Sequence, residues 1–312
     1  MKHTWTVTII IVLMFLTAQV VGLYLINLST NVIENKEGVV QIEFTETALV
    51  ERPQIQGTQS VIFIVIAVAV GTLLLLFLAK KSKVNWWKAW FILAVWLTLT
   101  ISLGVVLHGS DLFPAILALA LTLWKIYKPN IFIHNITEIL TYSGIAVLLA
   151  PILNIITGII ILILFSIYDA YAVWKSKHMI TLAKFTTKAN LFPGLSIPYS
   201  VKEQKTHIHT KIEKKETEPP KPPKDEGPKT GLLGGGDVVF PLIFAGVVMI
   251  ELINSGVTKQ EAYFLSLIVV LGALASLLFL FWISKKDKFY PAMPYLTTGC
   301  LLGYGVMLLV LL

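Results

Sequence analysis

Charge is scarce in this chain and cysteine is almost missing. Only 14% of its 312 residues are charged, while 56% are hydrophobic. An ordinary soluble domain is thereby excluded, and a multi-spanning membrane protein is indicated. The one cysteine, Cys300, excludes an intrachain disulfide. The apolar runs also lack period-two alternation, which excludes the strands of a membrane β-barrel. No histidine–cysteine cluster has metal-ligand spacing. His207 and His209 stand together in a polar loop and read as solvated, so neither metal nor cofactor is expected. A net charge of +7 raises the question of nucleic acid. It is read instead as the lysine excess of cytoplasmic loops, with no nucleic-acid partner.

What the chain does have is long apolar segments, most near the ~20 residues that a spanning helix needs. Nine can be drawn, at roughly 5–28, 60–79, 86–107, 112–127, 136–155, 157–174, 232–253, 262–283 and 291–312. The fourth is short. The fifth and sixth are nearly continuous, divided around Asn154 and Thr157 just after Pro151. The run that follows Met1-Lys2-His3 is longer than a usual signal-peptide core, so it reads as an uncleaved anchor.

Lysine and arginine set the expected orientation. With the N-terminus in the cytoplasm and nine alternating spans, 22 of the 25 basic residues fall inside. Lys36, Arg52 and Lys259 remain outside. The N-terminus and the 175–230 loop are then cytoplasmic, and the C-terminus is outside. Trp86, Trp87, Trp90 and Trp174 fall near inner boundaries, as interfacial aromatics do. In the acidic outer loop, 29–59, the segment Val39–Phe44 alternates enough for a short strand. Residues 178–192 mix apolar and basic positions and suit an amphipathic helix lying on the membrane. Residues 201–230, with Pro219-Pro220-Lys221-Pro222-Pro223, cannot build a core and read as a flexible linker. The chain divides into a six-helix part (1–174), a cytoplasmic loop (175–230) and a three-helix part (231–312).

One stretch, Gly231-Leu232-Leu233-Gly234-Gly235-Gly236-Asp237-Val238-Val239-Phe240-Pro241, opens an apolar helix and puts a carboxylate inside it. An ionisable group at membrane depth reads as functional by default. Glycines permit close backbone approach, and Pro241 deprives the Asp237 carbonyl of its helical donor. A polar, wet pocket is expected, because irregular backbone survives there only beside protein or water. Few other carboxylates lie within spans. Asp169 lies six residues before Lys175, ~9 Å along a helix, and Asp237 lies eight residues after Lys229, ~12 Å if helical. The two helices run antiparallel across one inner loop, so both aspartates sit at similar depth below the same face.

Two carboxylates a few ångströms apart in a low dielectric do not both ionise easily. The ionised one can take a proton from an attacking water while the neutral one donates to an amide carbonyl. A proton-coupled transporter would also place acids at this depth. A third class is a non-catalytic scaffold whose basic loop binds anionic lipid or partners. Glu251, Asp111 and Glu138 fall near span ends and read as interfacial. Gly299, Gly303 and Gly305 suit close helix packing.

Three motifs resemble a known family. Tyr168-Asp169 resembles the Tyr-Asp motif of the presenilin and signal peptide peptidase superfamily. Gly234-Gly235-Gly236-Asp237 is similar to its Gly-x-Gly-Asp motif, and Pro291-Ala292-Met293 resembles its Pro-Ala-Leu motif. Each falls on the expected span of a nine-span layout, and the resemblance covers most of the chain. It implies an all-α, presenilin-like bundle of nine transmembrane helices. The implied activity is that of an intramembrane aspartyl protease acting on transmembrane peptides in the lipid bilayer. Asp169 and Asp237 are then the catalytic dyad. Tyr168, Gly234, Gly235, Gly236, Pro291, Ala292 and Met293 bind substrate or support the site. Met293 departs from the motif, though it is close to leucine in volume. Gly235 stands where the family often has leucine. Pro241 resembles the signal peptide peptidases, whereas an inward N-terminus resembles presenilins. The small size is similar to microbial homologues that act without partner subunits; a homo-oligomer is compatible with the sequence.

Overall fold

The computed structural model describes residues 5–34, 40–45, 52–81, 83–107, 112–176, 186, 191–198, 230–284 and 290–312. In chain order the elements are α1 (Trp5–Ser29), β1 (Thr30–Glu34), β2 (Val40–Phe44), α2 (Thr58–Lys80), α3 (Val84–Val106), α4 (Leu112–Tyr127), α5 (Ile131–Leu149) and α6 (Ile155–Tyr171). They continue with β3 (Gly194–Pro198), β4 (Thr230–Gly234), α7 (Gly235–Asn254), α8 (Lys259–Ile283) and α9 (Met293–Leu311). Among the described residues, eight helical segments are long and apolar enough to cross a membrane. The ninth helix, α4, is apolar and has 16 residues. The protein is thus an all-α membrane bundle. Asp111, His207, His209, most of 178–192 and nearly all of 201–230 lie outside the described residues.

Helix ends follow local chemistry. Asn130 caps α5 by accepting from the Phe132 N–H, so this helix starts five residues before the expected position 136. That shift places Glu138 well inside the span. Asn154 and Thr157 form a reciprocal capping box at the head of α6, after a tight turn at Ala150–Ile152 that contains Pro151. The division expected at Asn154 and Thr157 is found there.

Helix α7 is the centre of the bundle. It touches α1, α5, α6, α8 and α9, and every residue from Pro241 to Ile250 is buried. A helix apolar on all sides belongs in the middle of a membrane protein. A second apolar cluster joins Leu78, Trp87, Phe91, Val95 and Leu99 around α2, α3 and α4. Trp87 belongs to it and is 3% exposed, so this tryptophan packs in the core instead of at the interface. Trp86, Trp90 and Trp174 are exposed.

Two antiparallel strand pairs complete the fold. The strand expected at 39–44 forms as β2 and pairs with β1. Strand β3 pairs with β4, so residues 231–234 form a strand where the apolar run predicts the opening of the seventh span, and α7 starts at Gly235.

Helices α8 and α9 cross at Gly272, Gly299 and Gly303. A Cβ at Gly299 would lie 2.4 Å from the Gly272 carbonyl oxygen. Gly299→Ala therefore forces α8 and α9 apart and should lower stability by about 1–3 kcal/mol, read as a lower melting temperature in detergent. Gly305 meets nothing within 4 Å, so Gly305→Ala should melt with the wild type.

Candidate active site

Asp169 stands on the last turn of α6 and Asp237 on the first turn of α7. Both line one cavity of about 310 Å³, together with Tyr168, Gly234, Gly235, Gly236, Phe240 and Met293. Antiparallel packing brings the end of one helix beside the start of the other. The rings of Phe165 and Phe240 stack with centroids 4.0 Å apart. Phe165 precedes Asp169 by one turn and Phe240 follows Asp237 by about one turn. This stack holds α6 and α7 in register directly below the two acids.

Two helix N-termini converge on the cavity. The Met293 N–H, at the head of α9, donates to Oδ2 of Asp169 at 3.1 Å, with the Ala292 N–H beside it. The first N–H groups of a helix have no intrahelical partner, so they are free to bind a carboxylate there. Pro291 and Met293 are buried and Ala292 is half-buried. The Pro-Ala-Met segment thus anchors α9 against Asp169. Ser166 and Thr297 reinforce the same contact, with their hydroxyls 2.6 Å apart. Asp237 lies within the first turn of its own helix, at the positive end of the dipole.

The glycines have distinct surroundings. A Cβ at Gly234 would lie 3.1 Å from Asp237 Oδ2. At Gly236 it would meet only Phe240, at an ordinary 3.7 Å. At Gly235 it would lie 3.1 Å from Cε1 and 3.2 Å from the hydroxyl of Tyr142, and 3.3 Å from the Pro193 carbonyl. Tyr142 fills the space that a side chain at 235 would need. Gly235→Leu should therefore lower cleavage at least tenfold and destabilise the protein by about 1–3 kcal/mol. Recovery of the melting temperature in the Gly235→Leu/Tyr142→Ala pair checks that the clash is with Tyr142.

Pro241 sits inside α7. Near this break, Gln19 of α1 reaches across, its Nε2 donating to the Val238 carbonyl at 2.8 Å. Helix α1 thereby satisfies backbone beside the Asp237 turn.

Helix α5 holds the sheet that leads into Asp237. Asn135 donates from Nδ2 to the Ser196 carbonyl at 3.0 Å and accepts from the Ser196 N–H at 3.1 Å. The His134 ring nitrogen Nε2 bonds the Gly194 carbonyl at 2.8 Å. The Gly235 N–H donates to the Pro193 carbonyl, so the pairs facing β4 are offset by one from Ser196. The outer edge of β3 is closed by α5 side chains. On β4, Leu232 and Gly234 turn their backbone groups to the opposite edge, where no strand pairs among the described residues.

Several of these residues carry no motif in the sequence. Glu138, expected at the interface, is 2% exposed and pairs with Lys125 Nζ at 2.5 Å. The spacing His134, Glu138, Tyr142 gave the available signal, since i, i+4 and i+8 share one helix face. Glu251 is exposed near the end of α7, as expected. Among the described residues no group of three His, Cys, Asp or Glu can hold a metal ion.

Comparison with known proteins bears on this geometry. The family described as signal-peptide peptidase, presenilin aspartyl protease matches residues 37–311. No curated protein matches the chain by sequence. Two solved structures of a presenilin family intramembrane aspartate protease share the fold. The one in space group C222 has a TM-score of 0.59 at 18% identity, covering 95% of this chain and 94% of that one. The one in space group P2 has a TM-score of 0.55 at 17% identity, covering 96% of each. With the family match running over residues 37–311, the chain belongs to the signal-peptide peptidase and presenilin aspartyl proteases, and it is an aspartic endopeptidase built into the membrane.

Proposed function

We propose that Asp169 and Asp237 are the catalytic dyad, and that the peptide bond they hydrolyse is drawn into the cavity between them. The observation that carries this reading is their joint position in one cavity inside a membrane bundle, Asp237 in the first turn of α7 and Asp169 facing the N-terminus of α9. One carboxylate takes a proton from water as the water oxygen attacks the scissile carbonyl carbon. The other, protonated, donates to the carbonyl oxygen. The tetrahedral intermediate collapses when a dyad proton passes to the amide nitrogen and the C–N bond breaks. Water supplies the OH of the new carboxyl group and the hydrogen of the new amine, and the dyad returns to its starting state. The proton belongs to the pair as a whole.

A helical substrate hides its scissile carbonyl in its own hydrogen bonds, so it must be unwound locally. The open edge of β4, ending at Gly234, offers backbone groups to an extended peptide at the mouth of the cavity. Gly236 and the Pro291–Met293 segment border the same space. Loss of cleavage on bulky substitution at Gly236 would support this role for the glycines. An apolar cleft of about 430 Å³ between α2 and α6 shares Val68, Phe165 and Tyr168 with the dyad cavity. It supplies a path from the bilayer for the transmembrane segments that this enzyme family cleaves.

The lysine distribution supports an inward N-terminus, a cytoplasmic 175–230 segment and an outward C-terminus. By that reading, substrates with an outside N-terminus are favoured. The division into 1–174, 175–230 and 231–312 assigns one aspartate to each helical part, and a homo-oligomer is compatible with it. The family match does not favour a proton-coupled transporter. The deciding experiment mixes purified protein with a labelled transmembrane peptide: a new peptide terminus is required, and pH-dependent flux without cleavage would reject the dyad as a hydrolytic pair.

A further inference from the structure

A string of buried polar side chains runs from α4 to the head of α7. Lys125 and Glu138 form an ion pair with both side chains 2% exposed. The Lys125 ammonium also lies 5.4 Å from the centroid of the Phe91 ring. One turn further along α5, Tyr142 is 3% exposed. Its hydroxyl lies at the edge of hydrogen-bond reach of the Glu138 carboxylate and within electrostatic range of Asp237, with no well-formed bond to either. The ring and hydroxyl rest against Gly235, two residues before Asp237.

This arrangement is expensive unless it has a use. Two charges removed from water gain little net stability even when paired. A buried hydroxyl with no well-formed hydrogen bond adds to the penalty. The chain also gives up a side chain at position 235 to make room for the tyrosine. A leucine packed on an apolar α5 would fill the same volume with neither cost.

We propose that Tyr142 is a positioning residue for Asp237, oriented in turn by the Lys125–Glu138 pair. The inference rests on the dyad reading above. Lys125 fixes the Glu138 carboxylate, and Glu138 sets the direction of the tyrosine hydroxyl. With substrate bound, the hydroxyl closes on the Asp237 carboxyl and holds it in line for proton transfer. The Gly235–Gly236 turn lets Asp237 approach without a side chain in the way. Proton transfer depends steeply on such placement.

The test compares four proteins on one labelled transmembrane peptide: wild type, Tyr142→Phe, Lys125→Met/Glu138→Leu, and the triple variant. Tyr142→Phe keeps the ring and removes only the hydroxyl. It should lower kcat about tenfold with KM unchanged. The double variant should lose a similar factor, and the triple variant should lose no more than either, because all three residues act through one hydroxyl. A merely structural tyrosine would leave kcat unchanged or shift KM and the melting temperature together; either result overturns the proposal. Multiplying losses in the triple variant overturn the part given to the ion pair. Asp169→Asn and Asp237→Asn are run alongside. Cleavage surviving in these two removes the dyad reading itself. Cleavage lost in them with an unaffected Tyr142→Phe removes only the role of Tyr142.

Discussion

Replacing Asp169 or Asp237 with asparagine should abolish cleavage of a transmembrane peptide, with a loss of about a thousandfold or more in each case. Asparagine matches aspartate in shape and keeps most of the hydrogen bonding, so the fold should persist. The Met293 N–H can still donate to the amide oxygen at position 169. What asparagine cannot do is accept a proton from water or donate one as an acid. On the proposed dyad the two carboxylates act as one unit, so Asp169→Asn/Asp237→Asn should be no slower than either single variant. The check is the rate of appearance of a new peptide terminus, with melting temperatures showing that each variant is folded. Residual activity within tenfold of wild type in either variant would mean that the hydrolytic machinery lies elsewhere.

Breaking the buried ion pair on one side should have the largest effect on stability. Lys125→Met leaves the Glu138 carboxylate buried and unpaired, a change expected to cost about 3–5 kcal/mol. Both side chains are almost fully enclosed, so water does not screen the loss. Replacing both, as Lys125→Met/Glu138→Leu, removes the unpaired charge along with the pair. That protein should recover most of the lost stability, since apolar side chains of similar volume suit this site. Thermal melts in one detergent decide the matter. If Lys125→Met alone melts with wild type, the two groups are not acting as a buried pair.

The apolar spans were legible because the bilayer imposes a length and a composition on any helix that crosses it. The two acids were legible for a related reason: a carboxylate in such a helix is rare and costly. Counting residues from the polar segment between the two helices then placed both at one depth. The short strand β2 showed itself by alternation. The capping pair Asn154 and Thr157 showed itself by residue type at a near-continuous apolar run.

Other parts were not legible, for physical reasons. Strands β3 and β4 are separated by more than thirty residues, and each is too short and glycine-rich to show a period. Their pairing depends on α5, whose Asn135 and His134 close the outer edge of β3. Lys125 and Glu138 each stand near the end of an apolar run, where a charge normally meets water. Only the packing of α4 on α5, and the early start of α5 at Asn130, turns them inward. Trp87 resembled an interfacial aromatic for the same reason, and packing made it core.

From its residues alone, the chain dictated a helical membrane bundle, a carboxylate on each of two neighbouring spans and a glycine-rich turn ahead of one of them. Those features follow from one-dimensional constraints: hydrophobic length, charge and the freedom of glycine. Tertiary structure decided what surrounds the acids. The head of α9 against Asp169, the stack of Phe165 on Phe240 and the tyrosine wedged beside Gly235 all join residues far apart in the chain. Contacts of that kind exist only once α5, α6, α7 and α9 have packed, because no local pattern encodes which helix faces will meet.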